Sequence, residues 1–137
     1  MIIALKDGFK KGIFTTWKLT KIIIPCYIII TLLQHTPMIE IISNFFEPIL
    51  EFLGLPGEAA LVLVSGNLIN IYAALGVISA LNFTMKEIII LSLMLSFSHS
   101  LILESAVMKK MGANILKLNT LRIAMSILSG LIVNILW

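Results

Sequence analysis

Long apolar runs separated by short polar joints dominate this chain, and the joints divide it into helical segments. About 20 apolar residues carry an α-helix across the hydrocarbon of a bilayer. Two stretches near the end have that length, Ile88 to Met108 and Leu118 to Trp137, with charge concentrated at or near their ends. The pattern therefore predicts transmembrane helices over 86–108 and 116–137. Glu58 to Leu81 is also long enough, but Ser65, Gly66, Asn67 and Asn70 stand in its middle, where such groups are costly against lipid. Residues 57–81 thus read as a crossing segment, broken or turned toward protein or water at that point. Ile22 to Gln34 is apolar but short. It spans when Trp17, Leu19 and the stems of Lys18 and Lys21 lie at the interface, which gives a predicted crossing over 22–36. Gln34-His35-Thr36-Pro37 follows instead of the small residues of a cleavage site, so an uncleaved anchor is expected.

Two segments have a different pattern. In residues 1–21, Lys6, Lys10, Lys11, Lys18 and Lys21 alternate with Ile2, Ile3, Leu5, Phe9, Ile13, Phe14 and Trp17, as in a basic amphipathic helix lying on a membrane. Between Pro37 and Pro56, Glu40, Asn44, Glu47 and Glu51 recur at helical spacing opposite Ile39, Ile42, Phe46, Ile49 and Leu53. Residues 38–55 are therefore an acidic amphipathic or re-entrant helix, or one wall of a polar cavity. Leu55-Pro56-Gly57 breaks the chain, Thr84 with Glu87 fits a capping box, and Gly112-Ala113-Asn114 separates the last two helices. The expected fold is an all-α integral membrane protein. It has four or five membrane-spanning or re-entrant helices plus the N-terminal amphipathic helix, in one domain over 1–137.

Composition sharpens this. Of 137 residues, 59% are hydrophobic and 12% charged, against about 25% charged in a soluble domain. A water-soluble surface is excluded, and a multi-pass protein of the cell membrane is expected. The net charge of +3 comes from lysines near helix ends, which suits anionic headgroups and not nucleic acid. Charge counting leaves two topologies. If 38–55 stays on one face, four spans put Lys6, Lys10, Lys11, Lys18, Lys21 and Lys86 opposite Lys109, Lys110, Lys117 and Arg122. Such a weak bias would allow insertion both ways and an antiparallel homodimer. If 38–55 crosses, or a neighbouring piece enters and leaves on one side, all of these except Lys86 share the cytoplasmic side, which is the preferred arrangement.

Chemistry-bearing residues are few. Ser92, Ser96, Ser100 and Glu104 recur every fourth position with His99 beside the stripe, so one side of that helix is hydrophilic. An intramembrane Glu and His face a bundle interior, a water-filled cavity or a proton path; the competing reading is a polar packing seam. On an unbroken helix His99 and Glu104 diverge by about 140°. No nucleophile motif, phosphate loop or zinc-protease signature accompanies them, so no enzyme is expected. Two distant histidines and the lone Cys26 give no basis for a bound metal or other cofactor. Ser65-Gly66-Asn67 with Asn70 matches the discontinuous helices by which membrane transporters hold polar solutes, with tight helix packing as the alternative.

Gly57-Glu58-Ala59-Ala60 after Leu55-Pro56, then the small, Asn-rich helix, resemble a known family. So do Ser98-His99-Ser100-Leu101, Leu103-Glu104-Ser105-Ala106-Val107 and Lys109-Lys110-Met111-Gly112-Ala113-Asn114. The family is the nucleoside-recognition or Gate domain of spore maturation proteins, concentrative nucleoside transporters and the membrane part of ferrous-iron transporters. The resemblance covers roughly residues 40–137 and is closest to short stand-alone and spore-maturation members. It implies a transport or gating element built like one repeat of an inverted-repeat transporter. It also implies a solute site drawing on Glu58, Ser65, Asn67, Asn70, His99 and Glu104. The chain has the size of a single repeat. A homodimer, a higher homo-oligomer or a paired Gate-domain subunit is therefore expected to complete the path for a nucleoside or other small polar solute. The alternative is a non-transporting membrane subunit or scaffold.

Overall fold

The computed structural model describes residues 2–137, with side chains from Ala4 onward. Met1 and the side chains of Ile2 and Ile3, which belong to the predicted amphipathic segment, lie outside the described residues. Every regular element among those described is helical. Three helices are long and apolar enough to cross a bilayer: Ala4–Gln34, Met85–Lys110 and Ile115–Leu136.

The first helix, α1 (Ile2–Gln34), runs without a break between Lys21 and Ile22. Its 33 residues make a rod of about 50 Å, so the expected separate surface helix over 1–21 is instead the front of one continuous element. No glycine or proline falls at Lys21-Ile22 to stop it. The helix ends at a polar joint where the Thr36 amide bonds back to Leu33 O, and Pro37 precedes α2 (Met38–Leu50). In α2, Ile39 and Leu50 are buried and Ile42 and Phe46 pack on the core, while Glu40 and Glu47 stay exposed. A 3-10 turn, Glu51–Leu53, closes it, with Gly54 in the left-handed region at φ 69°.

Beyond Pro56, residues 57–81 form a hairpin rather than the crossing segment they read as. The inbound arm is α3 (Ala59–Val64) with a π-turn over Ser65–Ile69, and the return arm is α4 (Ile71–Ala80). Each arm is about 15 Å long, half the hydrocarbon thickness. The hairpin ends meet: Glu58 and Leu81 line one cavity, and Gly66 near the tip touches the Ala74 methyl. The reversal happens at Asn70, which is extended and caps α4 by accepting from the Ala73 amide at 3.0 Å.

Thr84 then caps α5 (Met85–Ser98) reciprocally with Glu87 in a capping box. The chain breaks at His99-Ser100, continues as α6 (Leu101–Lys110), turns at Gly112 and returns as α7 (Ile115–Leu136). Asn134 near the end of α7 donates to Phe52 O, and Lys86 reaches Asn134 O. Gln34 donates to Ala80 O at 2.9 Å. The end of α1, the hairpin base, the start of α5 and the end of α7 therefore gather at one end of the bundle.

Two seams hold it together. Gly76 of α4 lies on α1, where an added Cβ would stand 2.7 Å from Ile23 O and 2.9 Å from Cys26 Cβ. Gly130 of α7 lies on α5, where an added Cβ would stand 2.9 Å from the Met94 sulfur. Buried Ser98 and Ser126 join the same α5–α7 seam by a 3.2 Å hydrogen bond. The core between hairpin and α5 centres on Val62, Ile90 and Leu91, all fully enclosed.

At the hairpin base, Gly57 faces α2 so closely that a methyl there would overlap the Ser43 carbonyl. Gly57→Ala is expected to destabilise the protein by about 1–3 kcal/mol, read as a lower midpoint of unfolding in mixed micelles. Gly12→Ala, whose Cβ meets nothing within 4 Å, is expected to cause no loss.

Candidate functional site

The candidate residues fall into two places. At the base, Glu58 lies in the turn before α3, outside the three spans, in a cavity of about 460 Å³ shared with Gln34, Thr36, Glu40 and Asn82. Burial lifts the Glu58 carboxyl above the ordinary carboxylate range, and the charge of Glu87 adds to the lift.

About 12 Å further along the inbound arm, the hairpin tip meets the break between α5 and α6. The contact is made by backbone: the Ser100 amide donates to Gly66 O at 2.9 Å. Gly66 permits it, because a Cβ there would stand 2.5 Å from Leu95. Ser100 takes a left-handed conformation, φ 51°, which costs a non-glycine residue about 1–2 kcal/mol. The contact with the tip offsets that strain.

This break corrects two expectations. The stripe Ser92, Ser96, Ser100, Glu104 is not continuous, since Ser92 and Ser96 face outward from α5 while Ser100 is buried at the tip. His99 and Glu104 do not diverge either: with the helix interrupted between them, His99 Nδ1 comes within 3.1 Å of Glu104 Oε1. Nothing in Ser98-His99-Ser100-Leu101 announces the break, as it holds neither glycine nor proline.

Arg122 of α7 completes the cluster. Its Nε donates to Phe97 O at 2.8 Å and its Nη2 to His99 O at 2.9 Å, with Glu104 Oε2 2.8 Å from Nη2. One cation thus caps the free carbonyls at the end of α5 and is balanced by one carboxylate. In the sequence Arg122 contributes only to the charge bias: it lies about two turns into the last helix, just after Asn119-Thr120, and its surroundings do not single it out.

The remaining polar groups are unequally engaged. Ser65 Oγ bonds Val62 O and Asn70 caps α4, so both serve the hairpin itself. Asn67 Oδ1 and His99 Nδ1 are buried with no hydrogen-bond partner. For His99 the nearby Glu104 oxygen is close enough for an ion pair but not aligned for a hydrogen bond, so the ring nitrogen is near charge yet unbonded. Buried polar atoms without partners are uncommon in native folds. Among the described residues no group of three His, Cys, Asp or Glu side chains is placed to hold a metal ion.

Interrupted helices thus meet inside an apolar bundle, with polar side chains at the meeting point, in an all-helical membrane protein. A family profile described as nucleoside recognition, Gate, matches residues 16–115, and the chain belongs to that family. It is also 42% identical over 130 residues to the uncharacterized membrane protein YvoD of Bacillus subtilis (strain 168), a match covering 95% of this chain. The chain spans 42% of that relative's length. No solved structure matches it.

A carboxyl whose proton is held more tightly when folded loses stability as pH rises from the ordinary carboxylate value through the raised one. Thermal unfolding between about pH 4 and 8 is expected to show that decline in the parent and a flatter profile in Glu58→Gln. Higher stability of the variant near neutral pH is also expected. The effect is small, because Glu58 is only half-buried.

Proposed function

We propose that this chain is a transporter-like Gate element, in which the hairpin tip and the α5–α6 break hold a nucleoside or another small polar solute. The observation that carries this reading is the pair of unbonded buried atoms, Asn67 Oδ1 and His99 Nδ1, where the two interruptions meet. Arg122 and Glu104 balance in charge, so the cluster favours hydrogen bonding to a neutral polar solute over holding a free ion. The base cavity with Glu58 and Glu40 is a polar vestibule on the way to the tip. No enzymatic step is assigned.

The lysines support an orientation. Lys6, Lys10, Lys11, Lys18 and Lys21 lie on the part of α1 away from the hairpin base, and Lys109, Lys110 and Lys117 flank the α6–α7 turn at that same far end. Glu40, Glu51, Glu58 and Glu87 gather at the base with Lys86 alone among the lysines. By the positive-inside bias the far end is cytoplasmic and the hairpin enters from the opposite side. This makes three spans and one re-entrant hairpin in a multi-pass protein of the cell membrane.

His99 and Glu104 retain about a third of their side-chain surface in this chain. A homo-oligomer or a paired Gate-domain subunit would supply the facing wall. A second reading is a non-transporting subunit of a larger complex, with the part-exposed His99 and Glu104 side chains turned to its partner.

Uptake of radiolabelled uridine and adenosine into proteoliposomes is the test. Asn67→Ala and His99→Ala are each expected to reduce uptake by about tenfold, the value of a lost buried hydrogen bond, with the folded fraction unchanged. No uptake or binding by the purified chain, together with an obligate partner crosslinked to it in native membranes, would establish the subunit reading instead.

A further inference from the structure

We propose that Arg122 is a positioning residue: it keeps the α5–α6 interruption open and thereby keeps the Ser100 amide on the hairpin tip. The purpose of this pin, holding the gate in register, rests on the transport reading; its geometry does not.

A helix that ends inside a bilayer leaves its last carbonyls without partners, and no water is present to take them. The cheapest remedy is for the helix to continue. Were α5 to run on into α6, Phe97 O would accept from the Leu101 amide and His99 O from the Leu103 amide, four residues on. The Ser100 amide would then turn to Ser96 O and leave Gly66 O. Its choice between those two acceptors separates a closed helix from a docked tip.

Arg122 decides that choice. Its fork occupies Phe97 O and His99 O, two of the carbonyls that a continuous helix would need, at 2.8 and 2.9 Å. A planar guanidinium presents donors to both in fixed directions, whereas the rotatable donors of an ammonium on a flexible stem do not preset that geometry. Glu104, 2.8 Å away, balances the cation and keeps it at this depth. Ser100 then stays in its left-handed conformation with its amide on Gly66. The pin is carried by α7, which the α5–α7 seam fixes independently through Ser98 and Ser126.

Disulfide formation in lipid nanodiscs, in a Cys26→Ser background, tests this. Asn67→Cys with Ser100→Cys reports the docked tip, because Asn67 follows the carbonyl that Ser100 engages. Ser98→Cys with Ser126→Cys, whose parent hydroxyls are 3.2 Å apart, reports the α5–α7 seam. Arg122→Gln is expected to slow tip crosslinking by about tenfold and leave the seam pair unchanged. Arg122→Lys, which keeps the charge but loses the fork, is expected to behave alike. The double variant Arg122→Gln/Glu104→Gln is expected to stay slow, since restoring charge balance does not cap the carbonyls. Parental tip rates in Arg122→Gln or Arg122→Lys would overturn the proposal. Recovery in the double variant would also overturn it, reducing Arg122 to a counter-ion for Glu104. Loss of both crosslinks together would do so as well, because the residue would then hold the whole fold. The assay contains no solute, so a failure of uptake bears on the transport reading alone.

Discussion

The interior of a bilayer offers no water to a helix that stops there, and the architecture of this chain depends on meeting that constraint. Several helix ends come together: the end of the inbound hairpin arm, the start of the return arm, and both sides of the α5–α6 break. Each finds a partner in protein. Gly66 O takes the Ser100 amide, Asn70 caps α4, and Arg122 takes the carbonyls of Phe97 and His99 at the α5–α6 break. The interruptions therefore belong together, and each is tenable in lipid because the other, or α7, satisfies it.

Electrostatics follows from the same economy. A lone arginine within a span is costly, but here it meets a carboxylate and two carbonyl dipoles, which spread its charge over short contacts. The base has a different character. There the carboxylates outnumber the cations, and burial together with the nearby Glu87 charge raises the Glu58 carboxyl above its ordinary value. A charge-balanced junction at the tip and an acidic cavity at the base are two environments within one short hairpin.

Much of this was legible in local sequence, because local signals fix local geometry. Leu55-Pro56-Gly57, the Thr84–Glu87 box and Gly112-Ala113-Asn114 end and begin helices through missing amides, side-chain caps and glycine dihedrals. Those act within a few residues. The polar middle of residues 57–81 was also visible, but its outcome was not. Whether such a segment kinks and continues or folds back depends on what α1 and α5 present to Gly76 and Gly66. The break at His99-Ser100 left no trace, since its determinants are an arginine more than twenty residues later and a carbonyl more than thirty residues earlier. For the same reason His99 and Glu104 appeared to diverge. The helical wheel assumes an unbroken helix, and tertiary contacts had broken it.

The two glycine seams differ in what they face, and that difference sets how each keeps its register. Against α4, Gly76 meets a backbone carbonyl and a Cβ of α1, neither of which rotates out of the way. Against α5, Gly130 meets the thioether of Met94, a chain with three rotatable torsions. Sliding the hairpin along α1 would force main chain past main chain, so glycine fixes the register there. In the seam that carries Arg122 the glycine contact is adaptable, and register rests on the Ser98–Ser126 hydrogen bond instead.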